Sequence, residues 1–192
     1  GFVHMSSAHL EDLSKHVAFL TQMCESGIQQ IACMGSMHEI GFHEGSIHDD
    51  TPCWPMNMYG IAKNALRDAL QIIAKQNNVM FQWFVDITLL AIRSMVINIS
   101  KIVAAAQDGK KEFPFTMGKN QYDFLDYPQF CQQVALAISQ HDVLGIINIC
   151  SGGPEKYRIE LSGSFANDLD IKLKYGAFPD RPYDSKAVWG II

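Results

Sequence analysis

The chain has 192 residues, 48% of them hydrophobic and 18% charged, and a formal net charge of −5. This length and composition are typical of one folded domain with a sizeable core. The negative charge argues against binding to nucleic acid or to an anionic membrane, and it favours chemistry on a small molecule. The five cysteines include no C-x-x-C pair. They argue against a disulfide framework and favour a reducing, cytoplasmic location.

The first half of the chain alternates helical and strand patterns. Apolar residues at helical spacing predict a helix over Leu10–Cys24, and the apolar run Ile28–Met34 predicts a short buried strand. Gly35–Pro55 is a long connector rich in Gly, His and Asp, and long ordered loops are often functional. A second helix is predicted over Met56–Gln76 and a second strand over Val79–Phe84. This alternation favours a parallel α/β sheet with crossover helices.

The second half continues the α/β pattern more weakly. Tyr127–Gln140 is predicted to be an amphipathic helix, and Gly145–Ile149 a buried strand that ends at a Gly-rich turn. The tail Tyr175–Trp189 contains Pro and Gly, and we expect it to cross the surface. The most apolar stretch, Phe81–Ala106, carries Asp, Arg and Lys, which argues against a membrane span.

Tyr59 and Lys63 are the first candidate catalytic pair. Four residues apart on a predicted helix, they lie on one face, one turn from each other. An ammonium held near a phenol favours the phenolate, so such a tyrosine is able to act as a general acid or base. Ser36 follows a predicted strand, where open α/β sheets place ligand-binding groups. A bare Y-x-x-x-K spacing also fits a surface pair on a helix, so these residues depend on their context.

The context consists of five segments: Met34–Gly41, Thr51–Leu66, Tyr122–Asp126, Ile146–Gly153 and Arg181–Asp184. Together they resemble the extended short-chain dehydrogenase/reductases, in particular the NAD-dependent epimerase/dehydratase group. Members of that group have a Ser or Thr after a strand and a T-P-x-x-P-x-x-x-Y-G-x-x-K segment. The resemblance covers most of the chain.

The resemblance implies a role for each matching residue. Tyr59 would be the catalytic acid/base, Lys63 would hold the nicotinamide ribose, and Ser36 would orient the substrate. Arg181 would meet a nucleotide diphosphate. Met37 and His38 stand where dehydratases of the group carry an acidic pair, which favours epimerase or reductase chemistry. The implied cofactor is NAD, with NADP left open. The implied substrate is a nucleotide-sugar or similar polyol, and the implied assembly a homodimer.

The sequence also departs from the family pattern. It has no G-x-x-G-x-x-G phosphate loop, so the resemblance implies on the order of 60–80 further residues before Gly1. We therefore expect a Rossmann-type sheet that lacks this N-terminal half over residues 1–112, followed by a small α/β substrate portion over residues 113–192. Residues 85–96 and 157–165 do not match the family, and shifts of the reading frame are our hypothesis for both segments.

Two functions of other classes remain open. The missing phosphate loop favours a non-catalytic binding module, whereas the set Ser36, Tyr59 and Lys63 opposes one. The loop His38–Cys53 contains three His, two Glu, two Asp and one Cys, which are zinc-competent ligands. Its histidines are five apart, however, and Gly residues interrupt any helix, so the pattern differs from the H-E-x-x-H helix of metalloproteases. The prediction is a polar loop over the active site, with no metal.

Overall fold

The structure, a computed structural model, describes residues 4–87, 101–123, 125, 127–153, 156–157, 166–179 and 185–191. Its helices are α1 (His4–Glu25), α2 (Met58–Gln76), α3 (residues 101–107) and α4 (Tyr127–Ile138). Its strands are β1 (Gln30–Met34), β2 (Gly45–Ile47), β3 (Met80–Asp86), β4 (Glu112–Pro114), β5 (Gln121–Tyr122), β6 (Gly145–Ile149), β7 (Lys156–Tyr157), β8 (Lys172–Lys174) and β9 (Ala187–Gly190). Among the helices described, none combines the length and the apolar character needed to cross a bilayer.

The main sheet consists of three parallel strands in the order β1-β3-β6. β1 aligns Ile31 with Phe81 of β3, and β3 aligns Trp83 with Ile146 of β6. The chain leaves β1, passes through α2 and returns as β3, which is the βαβ arrangement that a parallel sheet requires. The prediction of a parallel α/β fold is confirmed.

The apolar faces of α1 and α2 form the main core with this sheet. α2 buries Leu66, Leu70 and Ala74, which recur at helical spacing and contact the β1 and β3 side chains. Trp83 of β3 is fully buried in the same cluster. The two helices pack extensively against each other. The predicted helices and strands of the first half are present, with ends displaced by at most two residues except at the start of α1, which begins six residues earlier than predicted.

A second sheet has the strand order β2-β9-β5-β7. Its strand β2 falls within the predicted connector Gly35–Pro55, and it pairs in parallel with β9. The expectation that the tail Tyr175–Trp189 only crosses the surface is wrong for its last residues. Val188 of β9 is 1% exposed and belongs to the main core, because β9 lies between β2 and β5.

The carboxylate of Asp123 joins this second sheet to the end of β6. One oxygen accepts the backbone N–H of Ser151 at 2.7 Å, and the other accepts that of Gly190 at 3.1 Å. Asp123 is fully buried. The carboxylate thus satisfies two backbone donors that burial would otherwise leave without a partner.

The division of the chain into residues 1–112 and 113–192 stays a prediction. The frame shifts stay predictions as well, since 88–100 and 158–165 lie outside the described residues.

Candidate active site

Tyr59 lies in the first turn of α2, and the residue that caps this helix sets its position. Asn57 is the N-cap: its Oδ1 accepts the Gly60 N–H at 2.8 Å, which satisfies a backbone donor of the first turn. Its Nδ2 lies 3.0 Å from Nδ1 of His38. Because the Asn57 oxygen already accepts from Gly60, the amide nitrogen donates to His38. A neutral His38 therefore carries its proton on Nε2.

Two imidazole rings hold the Tyr59 ring in place. The ring of His9, from α1, is 5.4 Å from it between centroids, and that of His38 is 5.6 Å from it, both in edge-to-face geometry. Aromatic rings favour this arrangement because the positive edge of one meets the negative face of the other. Tyr59 is thus fixed from α1 on one side and from the loop after β1 on the other.

Lys63 follows Tyr59 by one turn. Its Nζ donates to the carbonyl oxygen of Met34, the last residue of β1, at 2.8 Å and lies 5.8 Å from the centroid of the Trp83 ring. Tyr59 and Lys63 both line an open cleft of about 430 Å³ between α1, α2 and the edge of β1. The predicted pair therefore shares one accessible cavity, with a phenol and an ammonium among its hydrogen-bond donors.

Ser36 begins the short 3₁₀ turn Met37–Glu39, two residues after Met34. Its Oγ accepts the His38 N–H at 3.3 Å, and its own N–H donates to Oε1 of Glu39 at 2.7 Å. This reciprocal pattern is a capping box, in which each end of the turn satisfies a backbone donor of the other. The turn fixes the backbone of Ser36 two residues after Met34, whose carbonyl oxygen binds Lys63.

Glu39 is a fully buried carboxylate beneath this turn. Besides the Ser36 N–H, it accepts the indole N–H of Trp83 at 3.1 Å and faces Nη1 of Arg67 at 3.3 Å. Burial raises the pKa of Glu39, and the Ser36 N–H, Arg67 and Trp83 oppose that shift by stabilising the carboxylate. Arg67 in turn donates to Cys53 Sγ at 3.2 Å, which connects the far end of the loop to α2.

The structure separates the other predicted substrate residues. Met37 is 5% exposed and packs in the hydrophobic core, whereas the neighbouring His38 is partly exposed and faces Tyr59. Arg181 lies outside the described residues. The roles of Met37, His38 and Arg181 in substrate binding stay predictions.

Sequence reasoning missed several residues that support the site. Two of them had recognisable signals: Ser36 and Glu39 form the S-x-x-E pattern of a capping box, and Asn57 is a preferred N-cap residue just before the helix. Nothing in the sequence indicated that His9 would contact Tyr59, because α1 and α2 approach each other only in the fold.

The His-rich loop shows local hydrogen bonds in place of a metal-ligand cluster. His43 Nε2 lies 2.8 Å from the Ser46 carbonyl oxygen, and His48 Nε2 lies 3.0 Å from Ser46 Oγ. Within the described parts of the chain, which include all of His38–Cys53, no three His, Cys, Asp or Glu side chains are placed to hold a metal ion. The zinc hypothesis gains no support from this geometry.

Comparison with known proteins identifies a matching family and a similar relative. The model of the NAD dependent epimerase/dehydratase family matches residues 7–150. The dTDP-6-deoxy-L-talose 4-dehydrogenase (NAD(+)) of Aggregatibacter actinomycetemcomitans is 40% identical over 194 residues, which cover 99% of this chain and 71% of that protein.

Solved structures show the same fold at low identity. The dTDP-glucose 4,6-dehydratase from Streptomyces venezuelae, solved with NAD, matches with a TM-score of 0.73 at 15% identity over 97% of this chain. The UDP-N-acetylglucosamine 4-epimerase from Methanobrevibacter ruminantium matches with a TM-score of 0.70 at 16% identity over 88% of this chain. The chain spans only 59% and 56% of these two proteins.

The class of protein is an extended short-chain dehydrogenase/reductase. Its features here are the parallel sheet, the Ser after the first strand and the Tyr–Lys pair at the start of the next helix. The family match and the 40% identical relative identify the family within this class. The chain belongs to the NAD dependent epimerase/dehydratase family.

Proposed function

We propose that the protein oxidises and reduces a nucleotide-sugar at one hydroxyl carbon with NAD, with Tyr59 as the acid/base. The observation that carries this proposal is the placement of Tyr59 and Lys63 on one open cleft, next to the turn that begins at Ser36. The assays described below, repeated with NADP, test it as the alternative cofactor.

The residues that line the cleft fit the ribose end of a nicotinamide cofactor. Lys63 supplies an ammonium and Tyr59 a phenol, and both are suited to hydrogen bonds with ribose hydroxyls. The chemistry that bound NAD would supply is a hydride acceptor for the sugar carbon. In this proposal Tyr59 accepts the proton of the same hydroxyl in oxidation and returns it in reduction. Ser36 accepts or donates a hydrogen bond at that oxygen and so orients the sugar.

We propose a dTDP-6-deoxyhexose as the substrate and its C4 hydroxyl as the reacting group. The name of the 40% identical relative supports both assignments. The turn after Ser36 supports them as well, because Met37 and His38 occupy the two following positions, so those positions offer no carboxyl group for the elimination of water. A 4-dehydrogenase needs one proton acceptor and no elimination step, and Tyr59 supplies that acceptor.

The test is the stoichiometry of NADH. A 4-dehydrogenase converts the C4 hydroxyl and NAD⁺ into a ketone, NADH and a proton, so NADH accumulates in proportion to product. An epimerase or a 4,6-dehydratase regenerates NAD⁺ within each turnover and accumulates none. We expect the full-length protein to produce one NADH per dTDP-6-deoxy-L-talose consumed. Turnover of a nucleotide-sugar without NADH would replace this proposal by an epimerase or dehydratase. Absence of turnover together with absence of NADH binding would favour the binding module.

We also propose that the protein forms a homodimer through the outer face of α2. Two large apolar side chains about three turns apart on one face of this helix are exposed, Ile61 at 40% and Ile72 at 59%. Exposed apolar groups that share a helix face are typical of an interface. Light scattering of the full-length protein tests the dimer, and replacing Ile61 and Ile72 together with Glu is expected to yield monomers. The five free thiols fit the proposed reducing, cytoplasmic location.

A further inference from the structure

We propose that Glu39 is a positioning residue of the active site. Its carboxylate fixes the backbone of Ser36 and the orientation of Trp83, the aromatic ring that lies near the Lys63 ammonium. This inference rests on the proposed function, because it concerns the same proton-transfer site. Glu39 itself is fully buried and lies beneath the turn that carries Ser36.

The first contact of Glu39 acts on Ser36. Its Oε1 accepts the backbone N–H of Ser36 at 2.7 Å, the shortest hydrogen bond of the capping box. Ser36 is the second residue after β1, so this bond fixes the direction in which the chain leaves the sheet. A rotation of that peptide would move the hydroxyl relative to Tyr59, whose ring contacts His38 two residues further on.

The second contact of Glu39 acts on Lys63 through Trp83. Both carboxylate oxygens accept the indole N–H, at 3.2 and 3.1 Å, and the ring of the same indole lies 5.8 Å from the Lys63 ammonium. A cation above an indole ring is attracted by its negative face. The carboxylate therefore holds Trp83 in the orientation that supports the ammonium, while the Met34 carbonyl binds it from the strand.

Arg67 completes the arrangement. It lies one turn after Lys63 on α2, and its side chain is 11% exposed where its Nη1 faces Glu39. A buried carboxylate without a cation or donors would be neutralised or expelled, so Arg67 and the two N–H donors keep it in place. The neighbouring Gly35 leaves the room required, since a β-carbon there would stand 2.2 Å from the Trp83 indole nitrogen. One side chain thus connects the end of β1, helix α2 and strand β3.

The test compares Glu39→Gln with Asp68→Asn in the full-length protein. Gln keeps the size of the side chain but turns an NH₂ group toward the donors of Ser36, Trp83 or Arg67. Asp68 is the matched control, because its carboxylate also pairs with Arg67, at 2.9 Å, but is 55% exposed. We expect Glu39→Gln to lower kcat by about 10- to 100-fold, the range that small misplacements of catalytic groups produce. Asp68→Asn should stay within about twofold of the wild type, as exposed pairs contribute little.

Two further measurements separate positioning from a loss of folding. Trp83→Phe keeps an aromatic ring but removes the indole N–H, so it should lower kcat by less than Glu39→Gln does. In the double variant the two effects should be clearly less than multiplicative, because both substitutions remove the same hydrogen bond. Multiplicative effects, or a folded Glu39→Gln protein with the kcat of the wild type, would overturn the proposal. If Glu39→Gln gives no folded protein, wild-type kcat in a folded Trp83→Phe variant would overturn it instead.

A readout without turnover separates this inference from the proposed function. The exchange rate of the Ser36 amide proton, measured by NMR, reports the bond to Glu39 whether or not a substrate is found. We expect exchange to accelerate by at least about tenfold in Glu39→Gln and to remain unchanged in Asp68→Asn, since a buried hydrogen bond protects its proton until it opens. If the wild type is inactive and Glu39→Gln still accelerates the exchange, only the proposed function is contradicted. Unchanged exchange in an active protein would contradict only the role of Glu39.

Discussion

Gly60, in the first turn of α2, lies directly against the carbonyl oxygen of His38: a β-carbon at Gly60 would stand 2.2 Å from that oxygen. The contact brings the start of the Tyr59 helix against the turn that carries Ser36. It gives a physical reason for the glycine that follows Tyr59 in the sequence, since any side chain would separate the two segments.

Gly60→Ala is therefore expected to destabilise the protein by about 1–3 kcal/mol, the usual cost of overpacking, and to lower kcat at the same time. Chemical denaturation and initial rates measure the two effects. Gly153→Ala is the control, because a β-carbon there meets no atom of the described residues within 4 Å and the residue does not have a positive φ. Equal stability of the two variants would show that the contact with His38 relaxes without cost.

Asp123→Asn tests the buried carboxylate that joins β6 to β9. The amide would present an NH₂ group to one of two backbone donors, so either Ser151 or Gly190 would lose its acceptor. We expect a loss of about 1–3 kcal/mol in the free energy of unfolding, the cost of an unsatisfied buried donor. Glu44→Gln is a matched control. Glu44 also accepts two backbone N–H groups, those of Lys186 and Ala187, but it is exposed, so water replaces the lost bond. A Glu44→Gln variant destabilised as much as Asp123→Asn would contradict the role of burial.

Tyr59→Phe tests the proposed acid/base directly. The ring contacts with His9 and His38 need only the aromatic ring, so the fold and the melting temperature should stay close to those of the wild type. Loss of the hydroxyl should lower kcat by about 10²- to 10⁴-fold, the usual contribution of a general acid or base. The Kd for NADH, from fluorescence titration of the full-length protein, should change far less. A variant with more than half of the wild-type kcat would rule out Tyr59 as the proton-transfer group.

The sequence allowed the parallel sheet, the Tyr59–Lys63 face and the strand before Ser36 to be predicted, because all of these depend on local periodicity or on neighbours in the chain. The environment of Glu39 was not predictable in the same way. Its partners come from the loop, from α2 and from β3, and only packing brings Arg67 and Trp83 within reach of it. The position of β9 was missed for a similar reason: a four-residue strand has too short a pattern to recognise, and its pairing with β2 spans most of the chain.

The pH dependence of stability offers a test of the buried state of Glu39. Its pKa in the folded protein is raised above the ordinary value of 4.5, mainly by desolvation. Between 4.5 and the raised value, the folded state binds more protons at this site than the unfolded state does. The contribution of Glu39 to the free energy of unfolding is therefore greatest below pH 4.5 and declines as the pH rises through that window.

Denaturant titrations of the wild type and of Glu39→Gln, repeated from pH 4 upward, isolate this contribution. The exposed carboxylates Asp12, Glu112 and Asp170 have lowered pKa values and act in the opposite direction, but they are present in both proteins and cancel in the difference. We expect the stability of the wild type relative to the variant to fall as the pH rises above 4.5 and then to level off. A difference that rises with pH would mean that Arg67 and the N–H donors outweigh desolvation, so that the pKa of Glu39 is lowered in the folded protein.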